Sequence, residues 1–135
     1  MAELKAGLVF EREHVVGQAD TAARWGSGGL EVYSTPALVG FLEVTCQAGL
    51  LTYLEENTTS VGVQVNIRHL AATPVGMKIR SRAELTLVEG RRLTFRVQAW
   101  DEVELIGEGE HVRFIVNVPK FMEKVDRKRN NSHIL

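Results

Sequence analysis

Along residues 61–69, VGVQVNIRH, apolar and polar side chains alternate with a period of two. Val61, Val63, Val65, Ile67 and His69 fall on one face and Gly62, Gln64, Asn66 and Arg68 on the other, the pattern of a half-buried strand. The same period runs through residues 77–90, where Met77, Ile79, Ala83, Leu85 and Leu87 alternate with Lys78, Arg80, Arg82, Glu84 and Thr86. It continues through 91–100, with Leu93, Phe95, Val97 and Ala99 in phase. Glu89-Gly90 and Asp101-Glu102 mark tight turns, and LIGEGEHVRFIVNV (105–118) makes a last strand before Pro119. Upstream, LVFEREHVV (8–16) reads as a first strand whose alternation breaks at Glu11-Arg12-Glu13.

Between the first and second strands the period changes. Ser34-Thr35-Pro36 offers an N-cap hydroxyl followed by proline at the first helical position, which starts a helix over 37–56, ALVGFLEVTCQAGLLTYLEE. At 1.5 Å per residue it spans roughly 30 Å. Its apolar residues cover more than one stripe, so burial on most sides is expected. GQADTAARWGSGGLEVY (17–33) is a Gly-rich connection that covers something; its GSGG lacks the Lys-Ser/Thr of a phosphate loop and the spacing of a dinucleotide fingerprint. PKFMEKVDRKRNNSHIL (119–135) is a short amphipathic helix or a frayed tail. Strand, long helix and four consecutive antiparallel strands predict a single α+β domain over 1–135, a curved sheet wrapped around one helix. VGVQVNIRH would then be a long edge strand with an apolar face, which proteins manage by pairing it with another copy, so a homodimer is expected.

Composition narrows the classes. A chain of 135 residues with 44% hydrophobic and 24% charged residues can bury a real core. With 16 basic against 17 acidic residues the net charge is −1, which leaves no field to hold nucleic acid. Cys46 is the sole cysteine, so no disulfide framework or thiolate cluster exists and a reducing, cytoplasmic setting fits. MAELKAGLVFEREH has no apolar region of secretory type, so export is not signalled. Ala37 to Leu54 is interrupted by Glu43, Gln47 and Thr52, the mark of a buried helix in a soluble protein and not of a membrane span.

Three residues could carry chemistry. Glu43 is the only charge between Pro36 and Leu54. Burying an unpaired carboxylate costs several kcal/mol, so it needs a partner, a water channel or a raised pKa; a structural ion pair to a strand arginine and a reactive carboxylate are both open readings. His69 ends its strand in phase with the apolar face, either as a satisfied core histidine or as an acid/base group. Thr35 places a hydroxyl beside the free amides of a helix N-terminus, for capping, a role Ser34 could share, or for stabilising an oxyanion. His14, His111 and His133 show no ligand spacing, so no metal is expected. Arg113, near His111, could pair with Glu43, meet a ligand phosphate or lie on a solvated face. Lys120, Lys124, Arg127, Lys128 and Arg129 form a basic run for which a solvated surface is the default. Cys46 is core packing.

The segments YSTPALVGFLEVTC, RHLAATPVGMKIRSRAEL and VEGRRLTFRVQAWDEVELIGEGEHVRF resemble the fluoroacetyl-CoA thioesterase family of hotdog-fold proteins, over residues 33 to about 125. The helix Thr and Glu, the His-x-Ala-Ala-Thr-Pro stretch and the Glu-Gly-Arg-Arg-Leu turn occur in the family's order. The resemblance implies a hotdog fold, a helix wrapped by a five-stranded antiparallel sheet, with sheets joined edge to edge in a dimer or a dimer of dimers. It implies a catalytic threonine, glutamate and histidine at Thr35, Glu43 and His69, with Gly62 and Arg113 at the substrate. It implies hydrolysis of a small acyl-CoA, with coenzyme A as part of the substrate and no cofactor, at a site where Thr35 and Glu43 meet His69 of the other subunit. This chain departs from the family in its shorter, Gly-rich segment before the helix and in Pro36, where the family has a glycine. A hotdog dehydratase acting on 3-hydroxyacyl thioesters and a non-catalytic acyl-CoA sensor remain alternatives.

Overall fold

A computed structural model describes residues 3–131. Strand β1 spans Val9–Val15, followed by a 3-10 turn over Gln18–Asp20 and the short helix α1 over Ala22–Trp25. Helix α2 covers Thr35–Leu50 and tightens into a 3-10 turn at Leu51–Tyr53. Strands β2 (Thr58–His69), β3 (Lys78–Glu89), β4 (Arg92–Trp100) and β5 (Leu105–Asn117) come next, and helix α3 (Val118–Asn130) follows them. The five strands form one antiparallel sheet in the order β1-β3-β4-β5-β2, which leaves β1 and β2 as its edges. Among the described residues no helix is long and apolar enough to cross a membrane.

The start of α2 follows from local chemistry. Ser34 is extended and its Oγ accepts from the Ala37 amide at 3.1 Å, so Ser34 is the cap, Thr35 the first helical residue and Pro36 the second. The helix was expected to run to 56. It closes earlier because Asn57 takes a left-handed conformation, φ 65°, and the Glu55 carbonyl accepts from both the amide and the hydroxyl of Thr58, reversing the chain into β2.

Leu38, Leu42, Thr45, Cys46 and Leu50 form the buried stripe of α2. They pack with Ile79, Ala83 and Leu85 of β3 and Phe95 and Val97 of β4 in one core. Each leucine so buried contributes about 2 kcal/mol. Gly49 lets α2 approach β1 closely, since a Cβ there would lie 2.1 Å from Phe10 Cγ. The expected burial on most sides is not met: the sheet covers one side of α2, Val44 is 48% exposed and Glu43 is half-exposed.

Two bulges alter the predicted strand faces. In β2 the register shifts between Gly62 and Gln64. One extra residue inverts the faces, so Ser60 and Gly62 meet α2 before the bulge, and Ile67 and His69 turn inward after it. Val61, Val63, Val65, Ile67 and His69 therefore do not form one buried face, and Val63 and Val65 are exposed. In β3 a shift between Leu85 and Leu87 leaves Leu87 exposed and Val88 half-buried against the core.

Candidate active site

Capping by Ser34 leaves the Thr35 side chain unengaged with the helix end, and Thr35 Oγ1 lies 2.8 Å from His69 Nδ1 at the end of β2. Tyr33 packs edge-on to the His69 ring, with centroids 6.5 Å apart, and its hydroxyl donates to the Ala37 carbonyl. Burial holds the His69 imidazole below the ordinary histidine range, with the nearby Ala71 backbone opposing this weakly, so the ring is neutral near pH 7. Its Nε2 is buried and makes no hydrogen bond among the described residues. Thr35 and His69 line a pocket of about 360 Å³ with Leu30, Val32, Ala71 and Ala72. The connection 17–33, anchored by bridges from Thr21 to Tyr33 and from Val32 to Pro74, forms one wall of it.

Glu43, Gly62 and Arg113 form a second cluster. Glu43 Oε2 lies 3.6 Å from Arg113 Nη1 and 3.7 Å from His111 Nε2. Gly62 sits directly over the carboxylate: a Cβ there would come within 2.7 Å of Glu43 Oε2. Arg113 is buried and its guanidinium donates to Ser60 Oγ at 2.7 Å, the Ser60 carbonyl at 3.0 Å, Gln47 Oε1 at 3.3 Å and His111 Nε2 at 3.0 Å. Of the readings open for Arg113, the structure supports pairing toward Glu43; the solvated face is excluded.

Within one chain the two clusters do not merge. Thr35 and Glu43 are eight residues apart on α2, about 12 Å along its axis. Thr35 reaches the His69 of its own chain, which corrects the expectation that both Thr35 and Glu43 meet His69 across a subunit boundary. Glu43 alone stands apart. Sequence reasoning overlooked the parts played by Ser60, Gln47 and His111. The two-residue spacing of His111 and Arg113 on a strand, which puts both on one face, was the available signal. Among the described residues no group of three or more His, Cys, Asp or Glu could hold a metal ion, and His133 lies outside them. The basic residues of α3 are exposed.

Residues 16–119 match the family described as fluoroacetyl-CoA-specific thioesterase. The fluoroacetyl-CoA thioesterase of Streptantibioticus cattleyicolor is 43% identical over 98 residues, 73% of this chain and 70% of that one. A solved structure of the fluoroacetyl-CoA thioesterase FlK superposes with a TM-score of 0.89 at 35% identity, covering 94% of this chain and 98% of the other. A thioesterase superfamily member from Thermus thermophilus superposes with a TM-score of 0.88 at 30% identity over 96% of both chains. Together with one long helix held in a five-stranded antiparallel sheet, these likenesses show that the chain belongs to the fluoroacetyl-CoA-specific thioesterase family and is a hotdog-fold thioester hydrolase.

Proposed function

We propose that the chain hydrolyses a small acyl-CoA thioester to the free acid and CoA at a site shared by two copies. Thr35 and His69 come from one copy; Glu43, Gly62 and Arg113 come from the other. The observation that carries this reading is the Thr35–His69 contact at 2.8 Å beside a buried His69 Nε2 with no bonding partner among the described residues. When the Thr35 hydroxyl donates to Nδ1, the imidazole proton sits on Nε2, and a carboxylate from a second copy completes a nucleophile, base and orienting acid.

The strand carrying both clusters supports the second copy. β2 is an open edge with Val63 and Val65 exposed, and such edges pair readily. Antiparallel pairing of two β2 strands about a twofold between Val65 and Asn66 sets Gly62 of one opposite the partner's His69, and Gly62 already carries Glu43 against it.

In this scheme Thr35 Oγ attacks the thioester carbonyl while its proton passes to His69. The dipole of α2 stabilises the oxyanion, and collapse expels the CoA sulfur, which takes the proton back from His69. Water activated by His69 then releases the acid from Thr35. CoA enters only as part of the substrate. A reducing, cytoplasmic setting agrees with Cys46, a buried free thiol that burial pushes up to about 12 and thereby makes inert.

The test is free-thiol release from acetyl-, fluoroacetyl-, butyryl-, hexanoyl- and phenylacetyl-CoA. Turnover of at least one ester, lost in folded Glu43→Gln and His69→Ala variants, is the expected result. Tight binding of the esters without release would overturn it.

A further inference from the structure

We infer that His111 is a positioning residue: as a neutral acceptor it fixes the Arg113 guanidinium so that a single N–H remains aimed at Glu43. The inference rests on the proposed function, in which Glu43 must stay available to the partner's His69.

An arginine has five N–H donors and no acceptor. In Arg113, Nε donates to Ser60 Oγ, Nη2 donates to the Ser60 carbonyl and Gln47 Oε1, and one hydrogen of Nη1 goes to His111 Nε2. The fifth, on Nη1, has Glu43 Oε2 at 3.6 Å, an attraction without a closed bond. Because Arg113 can only donate, His111 Nε2 must present a lone pair. The imidazole proton therefore sits on Nδ1, 2.9 Å from the Gln64 carbonyl to which it donates. The 3.7 Å approach of His111 Nε2 to Glu43 is accordingly a lone pair facing a carboxylate and not an ion pair.

His111 is fully buried and spans from the backbone at the β2 bulge to the guanidinium. Remove its acceptor and a buried N–H of Nη1 loses its partner. The cheapest remedy is rotation that loosens the Ser60 contacts and closes Nη1 onto Glu43 as a charge-assisted hydrogen bond, which withdraws the carboxylate from catalysis. The Thr35–His69 pocket is untouched and the group withdrawn is the Glu43 carboxylate, so the loss falls chiefly on kcat.

The experiment compares His111→Leu with His111→Gln, whose amide oxygen reaches the place of Nε2. Two readouts are taken: kcat and KM for the ester turned over best, and solvent exchange of the Arg113 Nε–H by 15N NMR. His111→Leu is expected to lower kcat roughly ten- to a hundredfold with KM within about twofold. It should also speed Arg113 exchange at least about tenfold, while His111→Gln restores most of both. Wild-type exchange in His111→Leu overturns the inference whatever the turnover, and so does a His111→Gln variant as damaged as His111→Leu. If His111→Leu fails to fold, His111→Gln alone decides: near-native kcat and exchange support the inference, and loss of both defeats it. Absence of thioesterase activity in the wild type would sink the functional reading, yet exchange would still judge His111.

Discussion

Ser34 takes the helix cap itself and so leaves the Thr35 hydroxyl free to face His69. Ser34→Ala should cost about 1 kcal/mol of stability in urea denaturation and let Thr35 compete for the vacated amide, lowering turnover as well. Thr35→Ala should reduce kcat by about a hundredfold or more, and Thr35→Ser should recover much of it, because in the proposed mechanism the hydroxyl beside His69 is the attacking group. Burial holds His69 and His111 below the ordinary histidine value of 6.5. The unfolded chain thus binds more protons than the folded one as pH falls through that value. Stability is full above it and declines below it, and kcat/KM should fall at lower pH still, as the imidazole of folded His69 protonates. Melting temperature followed from about pH 7.5 to about pH 5 should fall in the wild type and fall less in His111→Gln. Thr35 and His69 were legible because a helix start and a strand end announce themselves locally. The guanidinium network was not, since nothing in one sequence says that Ser60, Gln47 and His111 converge on Arg113.

At the scale of elements, close approach of α2 to β1 depends on a missing side chain. Gly49→Ala adds helix propensity worth about 1 kcal/mol, but its methyl would enter the Phe10 ring. Overpacking costs about 1–3 kcal/mol, so the net sign is destabilising, and thermal unfolding would show it. A Gly49→Ala variant as stable as the wild type would mean that β1 shifts freely on the helix. The five strands and the long helix were readable from period and caps. The faces of β2 and β3 were not, because a bulge adds one residue without any compositional mark and reverses every side chain beyond it. The wrapping of α2 was overestimated for a related reason: hydropathy counts apolar residues and cannot tell those in the core from those on an exposed face.

For the whole molecule, the separation of the two clusters makes assembly and chemistry inseparable under the proposed scheme. Mixing inactive Thr35→Ala and Glu43→Gln proteins should regenerate activity, because each mixed dimer holds one site with both residues intact. Statistical exchange would return about a quarter of the wild-type rate. No recovery after verified subunit exchange would place the whole reaction within one chain. Val65→Lys, which sets like charges beside the twofold, should yield folded, inactive monomers in sedimentation; an active monomer would refute the shared site.

The eight-residue interval on α2 between Thr35 and Glu43 also has a genetic meaning. An allele lacking only one of the two residues would leave a mixed dimer with one working site, so a heterozygote would lose activity in proportion. An allele lacking both would contribute nothing to either site of a dimer it joins, and would silence the wild-type copy as well. With the site shared as proposed, the doubly substituted chain is therefore dominant-negative, whereas each single substitution is not.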